Sequence, residues 1–217
     1  MITAHGASDQ RRELWRSRGF EVFDGTCPLV QHAHEQLKRL VAAGFFPVVI
    51  GKRGHVEVRG LIEDFLGACV IEDVHDVENM PSRGRLGVIS QTTQPIEWVQ
   101  SLVAEIRRRN PKSEVRFVDT VCRPTKDRQL ALRKLLGETD AIVVVGGKTS
   151  NNTRQLVEAC RRAGKQAFHI ERADELQTTW FEKIDIVGLT AGTSTLPETV
   201  SAVHARLREI SFAKPKQ

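Results

Sequence analysis

The 217-residue chain has no tyrosine, only two methionines and an aromatic content of 6%. Its Phe and Trp residues are isolated along the sequence, so no row of rings offers a stacking platform for single-stranded nucleic acid. No run approaches the ~18 consecutive apolar residues of a membrane span, and the opening MITAHGASDQRREL lacks the apolar block of a secretory leader. These absences predict a cytoplasmic, soluble protein with neither a membrane nor nucleic acid as partner. The four cysteines, Cys27, Cys69, Cys122 and Cys160, form no C-x-x-C motif, which argues against a disulfide framework and leaves thiol chemistry open. Disorder as the main state is excluded, because 40% apolar and 27% charged residues suffice for a buried core. Lys and Arg exceed Asp and Glu by 32 to 27, but the cations are spread over helical patterns and form no block. That favours an anionic small molecule or an acidic protein as partner.

What is present is a repeat. Short Val/Ile-rich runs alternate with amphipathic stretches, the signature of parallel sheets covered by helices. CPLVQHAHEQLKRLVAAGFFPVVIG runs from Cys27 to Gly51, and CRPTKDRQLALRKLLGETDAIVVVG runs from Cys122 to Gly146, at an offset of 95 residues. Each glycine leads into a polar loop, GKRGHVEVRG or GGKTSNNTRQ, and a further helix. GVISQTTQP and IVGLTAGTSTLP then match as strands opening into Thr/Ser-rich loops. Residues 1–27 show the second half of the plan again: an apolar start, AHGAS, a helix over Arg11 to Arg18, and EVFDGTC in the place of EVRFVDTVC. The expected fold is therefore α/β, with pseudo-symmetric repeated domains: two complete copies plus the end of a third. The boundaries are 1–27 for the remnant of a first domain, 28–119 and 120–212 for the second and third, and 213–217 for a tail.

Ligands of parallel α/β units gather where strands end and helix N-termini offer free N–H groups. Cys27 and Cys122 both follow strands directly. With a third cysteine from a missing domain they would make a three-thiolate site suited to iron or an iron-sulfur cluster, and spacing alone leaves open that both are merely small buried residues. Cys69 and Cys160 lack the repeated context and read as core. The loops add His5, His55, Glu57, Thr92, Ser150, Asn151, Asn152 and Ser194, a set able to hold a phosphate or diphosphate. His55 and Glu57, two apart, would share a face of an extended segment, with Glu57 able to hand on a proton. Gly146 to Ser150, GGKTS, resembles the tail of a P-loop, but Ala141 stands where its first glycine is needed, so a Walker motif is rejected.

Taken in order, AHGAS, DGTCPLV, GKRGHVEVRG, SQTTQP, TVCRPTKDRQ, GGKTSNNTRQL and TAGTSTLPE resemble the 4-hydroxy-3-methylbut-2-enyl diphosphate reductase family, the last enzyme of the non-mevalonate isoprenoid pathway. The resemblance covers nearly the whole chain. It implies a trefoil of three α/β domains around a 4Fe-4S cluster held by one cysteine from each, with Cys27 and Cys122 as the second and third ligands. It implies that His5 and His55 contact the substrate diphosphate, that Glu57 delivers protons, that Thr92 lies near the substrate hydroxyl, that Ser150, Asn151 and Asn152 form a diphosphate cradle, and that Ser194 belongs to the last substrate loop. It implies an oxidoreductase making isopentenyl and dimethylallyl diphosphate, with a reduced ferredoxin or flavodoxin as electron donor. The family's N-terminal part, with the first cluster cysteine and another substrate histidine, is not in this sequence. Asn151 stands where serine is commoner, and Arg123 and Pro124 follow the third cysteine where smaller or aromatic residues are usual. The alternative is a cluster-free diphosphate-binding module, or a subunit completed by a separately encoded first domain.

Overall fold

The computed structural model of the protein describes residues 1–213, so the expected tail lies outside the described residues from position 214 onward. The chain forms two compact units, Met1–Cys122 and Arg123–Gln217. Residues 1–27 are thus counted with the first unit, and β4 and the second repeated cysteine close it.

In the first unit the helices are α1 (Asp9–Ser17), α2 (Pro28–Ala42), α3 (Val56–Ile62), α4 (Val74–Glu78) and α5 (Ile96–Arg109), and the strands are β1 (Phe46–Ile50), β2 (Cys69–Ile71), β3 (Arg85–Ser90) and β4 (Glu114–Phe117). All strand pairs are parallel, in the order β2-β1-β3-β4. The apolar runs read as strands because both faces of the sheet are covered. Val48, Ile50, Leu86 and Val88 pack with Leu102, Val103 and Ile106 of α5 on one side, while Val49 and Ile89 pack with Leu37, Leu40, Val58 and Leu61 of α2 and α3 on the other. Each such fully buried aliphatic side chain contributes about 1.5–3 kcal/mol.

The second unit contains α6 (Arg123–Glu138), β5 (Ala141–Val145), α7 (Asn151–Arg162), β6 (Gln166–Ile170), two short 3-10 turns, β7 (Val187–Ala191) and α8 (Pro197–Ala213). Its sheet is also parallel, in the order β6-β5-β7. The repeat is visible in the register. Val48 faces Cys69 on one side and Val88 on the other, and Val143, 95 positions later, faces Phe168 and Leu189.

Two expectations need correction here. EVFDGTC does not form a strand: its one ladder contact is a parallel bridge between Ile2 and Asp24, and Phe20 and Phe23 stay exposed, so no apolar face is buried to hold a longer pairing. Nor are all the rings isolated, since Phe168 stacks on Trp180 at 4.6 Å and meets Phe181 edge-on within the core of the second unit. Cys160 is buried as expected, whereas Cys69 is half-buried on β2. No helix among the described residues is long and apolar enough to cross a membrane.

Candidate functional site

The repeated polar features fall at the carboxyl ends of β1, β3, β5 and β7. Gly51 ends β1 because nothing larger fits: a Cβ there would lie 2.8 Å from both Gln91 Cβ and Val58 Cγ2. Gly146 ends β5 with φ +146°, and a Cβ would lie 2.7 Å from Thr153 Oγ1. Val58 and Thr153 are equivalent in the repeat, so both glycines let a helix N-terminus press close to the strand end.

That helix start overturns the extended reading of His55 and Glu57. His55 is the N-cap of α3 and Glu57 its second residue, and the Glu57 N–H donates to His55 Nδ1 at 3.2 Å. A ring that accepts at Nδ1 carries its neutral-form proton on Nε2, where it can donate to an anion. His5 meets His55 edge-on with ring centroids 5.3 Å apart. The two imidazoles are therefore neighbours although 50 residues separate them in sequence.

Glu57 is only 2% exposed. Its Oε1 accepts the Thr92 N–H at 2.7 Å, and the Thr92 side chain also hydrogen-bonds the carboxyl. Burial pushes the Glu57 pKa up, against the lowering effect of both Thr92 contacts. The result is an acid that keeps its proton above the ordinary carboxylate range, as a general acid requires. Sequence reasoning missed Gln91, fully buried, whose Oε1 accepts the Lys52 N–H at 3.0 Å and the Gln94 amide at 2.9 Å. Gln91 ties the loop after β1 to the loop after β3, and Thr92 ties Glu57 to that same loop. Its one sequence signal was its place in SQTTQP.

Cys27 and Cys122 have matching surroundings. Asp24 Oδ1 accepts the Thr26 N–H at 3.0 Å, and Asp119 Oδ1 accepts the Val121 N–H at 3.1 Å, each a local turn one residue before the cysteine. The Cys27 N–H donates to Ala4 O at 3.0 Å and the Cys122 N–H to Thr92 O at 2.8 Å. Cys27 caps α2 with no side-chain hydrogen bond, Cys122 immediately precedes α6, and both are half-buried without a disulfide. One backbone device thus presents two soft sulfur donors, the ligand type that iron-sulfur centres take.

In the second unit Ser150 caps α7, its Oγ accepting the Thr153 N–H at 3.4 Å. Asn151 and Asn152 follow as the first two helical residues. Asn152, the repeat equivalent of Glu57, is 4% exposed, and its Nδ2 has no hydrogen-bond partner. An orphaned buried donor costs about 1–3 kcal/mol, a cost that an anion bound at the N-terminus of this 12-residue helix would offset. Ser194 is exposed in the loop after β7, where neighbouring Thr195 donates to Val145 O at 3.1 Å. The structure thus groups His5, His55, Glu57 and Thr92 in the first unit and Ser150, Asn151, Asn152 and Ser194 in the second. Lys148 of GGKTS takes no part, being paired with Glu175 at 2.8 Å.

Comparison with known proteins gives a match to the family model described as LytB protein over residues 1–208. Among curated relatives, 4-hydroxy-3-methylbut-2-enyl diphosphate reductase of Aquifex aeolicus (strain VF5) is 36% identical over 215 residues, covering 97% of this chain and 73% of the relative. The protein of the same name from Anaeromyxobacter sp. (strain Fw109-5) is 38% identical over 209 residues, covering 96% and 73%. The solved structure of the E-1-hydroxy-2-methyl-but-2-enyl-4-diphosphate reductase from Plasmodium falciparum superposes with a TM-score of 0.84 at 27% identity, over 91% of this chain and 63% of that one. This chain therefore spans about three-quarters of the length of the curated relatives and under two-thirds of that structure's chain.

Proposed function

We propose, because this chain belongs to the LytB family, that it serves the reductive dehydroxylation of 4-hydroxy-3-methylbut-2-enyl diphosphate to isopentenyl and dimethylallyl diphosphate in the non-mevalonate pathway. The balance is two electrons and two protons consumed, one allylic C–O bond broken and one water released. The observation that carries the reading is the buried Glu57 carboxyl held at 2.7 Å by Thr92, next to a pair of imidazoles. In the first unit His55 Nε2–H and His5 are the residues assigned to diphosphate binding, and in the second unit Ser150, Asn151, Asn152 and Ser194 are the residues assigned to anion binding. Thr92 orients the Glu57 carboxyl and lies next to the departing hydroxyl, and Glu57 holds the proton that leaves with it or reaches the carbon. Cys27 and Cys122 would ligate a 4Fe-4S cluster together with a third cysteine not in this sequence, and that group would supply electrons one at a time and Lewis acidity towards the substrate oxygen. The chain's net charge of +5 suits an acidic one-electron carrier, a reduced ferredoxin or flavodoxin, in the cytoplasm.

A second reading, a cluster-free diphosphate-binding module or a subunit completed by a separately encoded domain, rests on one observation. Among the described residues, the one grouping of three possible ligand side chains is Asp9, His34 and Asp64, which contains no cysteine. Anaerobic incubation of iron-loaded protein, completed by the first domain that brings the third cysteine, with the substrate and a reduced viologen separates the two. The reductase reading expects both isoprenyl diphosphates as products. Binding of inorganic diphosphate by iron-free protein, with no product from the loaded protein, establishes the module instead.

A further inference from the structure

The loop that carries His5 is clamped against the end of α3 and the two residues just beyond it, and the clamp uses residues the proposed chemistry leaves idle. Asp64, just beyond α3, caps α1 from a distance: its Oδ2 accepts the Asp9 N–H at 2.8 Å and its Oδ1 accepts the Gln10 N–H at 3.0 Å. These are two of the first N–H groups of α1, which have no partner within the helix. His34 of α2, only 8% exposed, brings Nε2 to 2.9 Å from the same Oδ2. Beside it, Ser8 Oγ donates to Glu63 Oε2 at 2.6 Å, and the Arg11 guanidinium pairs with the same carboxylate. One turn earlier Gly60 lies against the backbone of Ala7, so close that a Cβ would stand 3.4 Å from Ala7 Cα. Residues 57, 60 and 64 recur at helical spacing, so the stripe of α3 that offers Glu57 at one end also offers Gly60 to Ala7 and leads to Asp64 at the other.

We propose that Asp64, which caps α1 through two backbone N–H groups, is a positioning residue that holds the His5 loop against α3 and so fixes the spacing of the His5 and His55 imidazoles for a diphosphate. Asp9, His34 and Asp64 lie close enough to suggest a metal site, but Asp9 is paired with Lys38 and Arg12 and Asp64 already accepts two backbone N–H groups. The carboxylates are already matched by the chain's own donors. Burial, reinforced by Lys38, pushes the His34 pKa down despite Asp9 and Asp64, and its Nε2 lies beside Asp64 without a hydrogen bond.

The inference rests on the diphosphate reading, and the test keeps the two apart. In ligand-free protein, Asp64→Asn, which keeps shape but loses one acceptor and the charge, is expected to move the ring resonances of both His5 and His55 in NMR spectra. Unmoved resonances overturn the positioning role whatever the ligand. Calorimetric titration with inorganic diphosphate then reads function through a double-mutant cycle. Asp64→Ala is expected to weaken binding about tenfold in the wild-type background and less than about twofold in His5→Ala. Fully additive losses contradict action through His5. Absence of diphosphate binding by the wild type, with resonances that do shift, overturns the diphosphate reading and leaves the positioning role standing.

Discussion

Glu57→Gln lowers turnover by about 10²–10⁴-fold while leaving iron content and diphosphate affinity within about twofold, because a positioned general acid contributes roughly that factor. Glutamine is nearly isosteric, and its Oε1 still accepts the Thr92 N–H now held at 2.7 Å. What it lacks is the proton. The same substitution has a thermodynamic signature of opposite sign. A carboxyl whose pKa is raised by burial binds its proton more tightly folded than unfolded, so the native state loses stability as pH rises from about 4.3 through the folded value. Glu57→Gln removes that loss. The variant should therefore melt higher than wild type at pH 8 and near it at pH 4, each unit of pKa elevation being worth about 1.4 kcal/mol. Turnover equal to wild type dismisses Glu57 as the acid, and an equal melting temperature at both pH values dismisses its buried proton.

In protein completed by the domain that brings the third cysteine, replacing either repeated cysteine by serine abolishes iron retention and with it all reductase turnover. Thiolates are the donors that iron-sulfur centres demand, and a hydroxyl is a poor substitute. The structure makes the experiment clean at Cys27. That residue caps α2 without a side-chain hydrogen bond, and serine is a preferred N-cap, so Cys27→Ser should fold as well as wild type or better. Cys122→Ser tests the equivalent position, whose backbone N–H stays anchored on Thr92 O at 2.8 Å. Iron content and visible absorbance after anaerobic reconstitution check both variants, with Cys160→Ser, in the buried core of α7, as the control that keeps its iron. Undiminished iron in the first two variants contradicts their assignment.

Much of the architecture was legible because parallel strands covered on both faces are written as unbroken apolar runs. FPVVI and AIVVV, each 19 residues beyond a cysteine and each closed by glycine, became β1 and β5, each lying between the next two strands of its unit. The start of α3 was not legible. His55, Val56, Glu57 and Val58 alternate in polarity as a strand does, and β-branched Val56 and Val58 and Gly60 are poor helix formers. Tertiary contacts decide there: Val58 is buried against the sheet and Gly60 against Ala7, and the helix forms despite local propensity. EVFDGTC failed for the converse reason, since its local pattern resembles EVRFVDTVC but Phe20 and Phe23 bury nothing. The support of the site was illegible as well. Gln91 reaches back 39 residues to the Lys52 N–H, and Asp64 reaches 55 to Asp9, separations at which a sequence pattern carries no signal. The repeat did place Glu57 and Asn152 at equivalent positions, and it is the structure that distinguishes them: one carboxyl is satisfied by Thr92, and one amide is left with an unmatched donor.

Infrared difference spectroscopy of wild type against Glu57→Gln reads directly, without cluster or substrate, whether the carboxyl buried at the start of α3 carries a proton. The expected spectrum retains the carbonyl stretch of a protonated carboxyl at pH values where an ordinary glutamate has already ionised, and loses it in the variant. A band that disappears with an ordinary carboxylate titration would contradict the assignment of Glu57 as the proton donor.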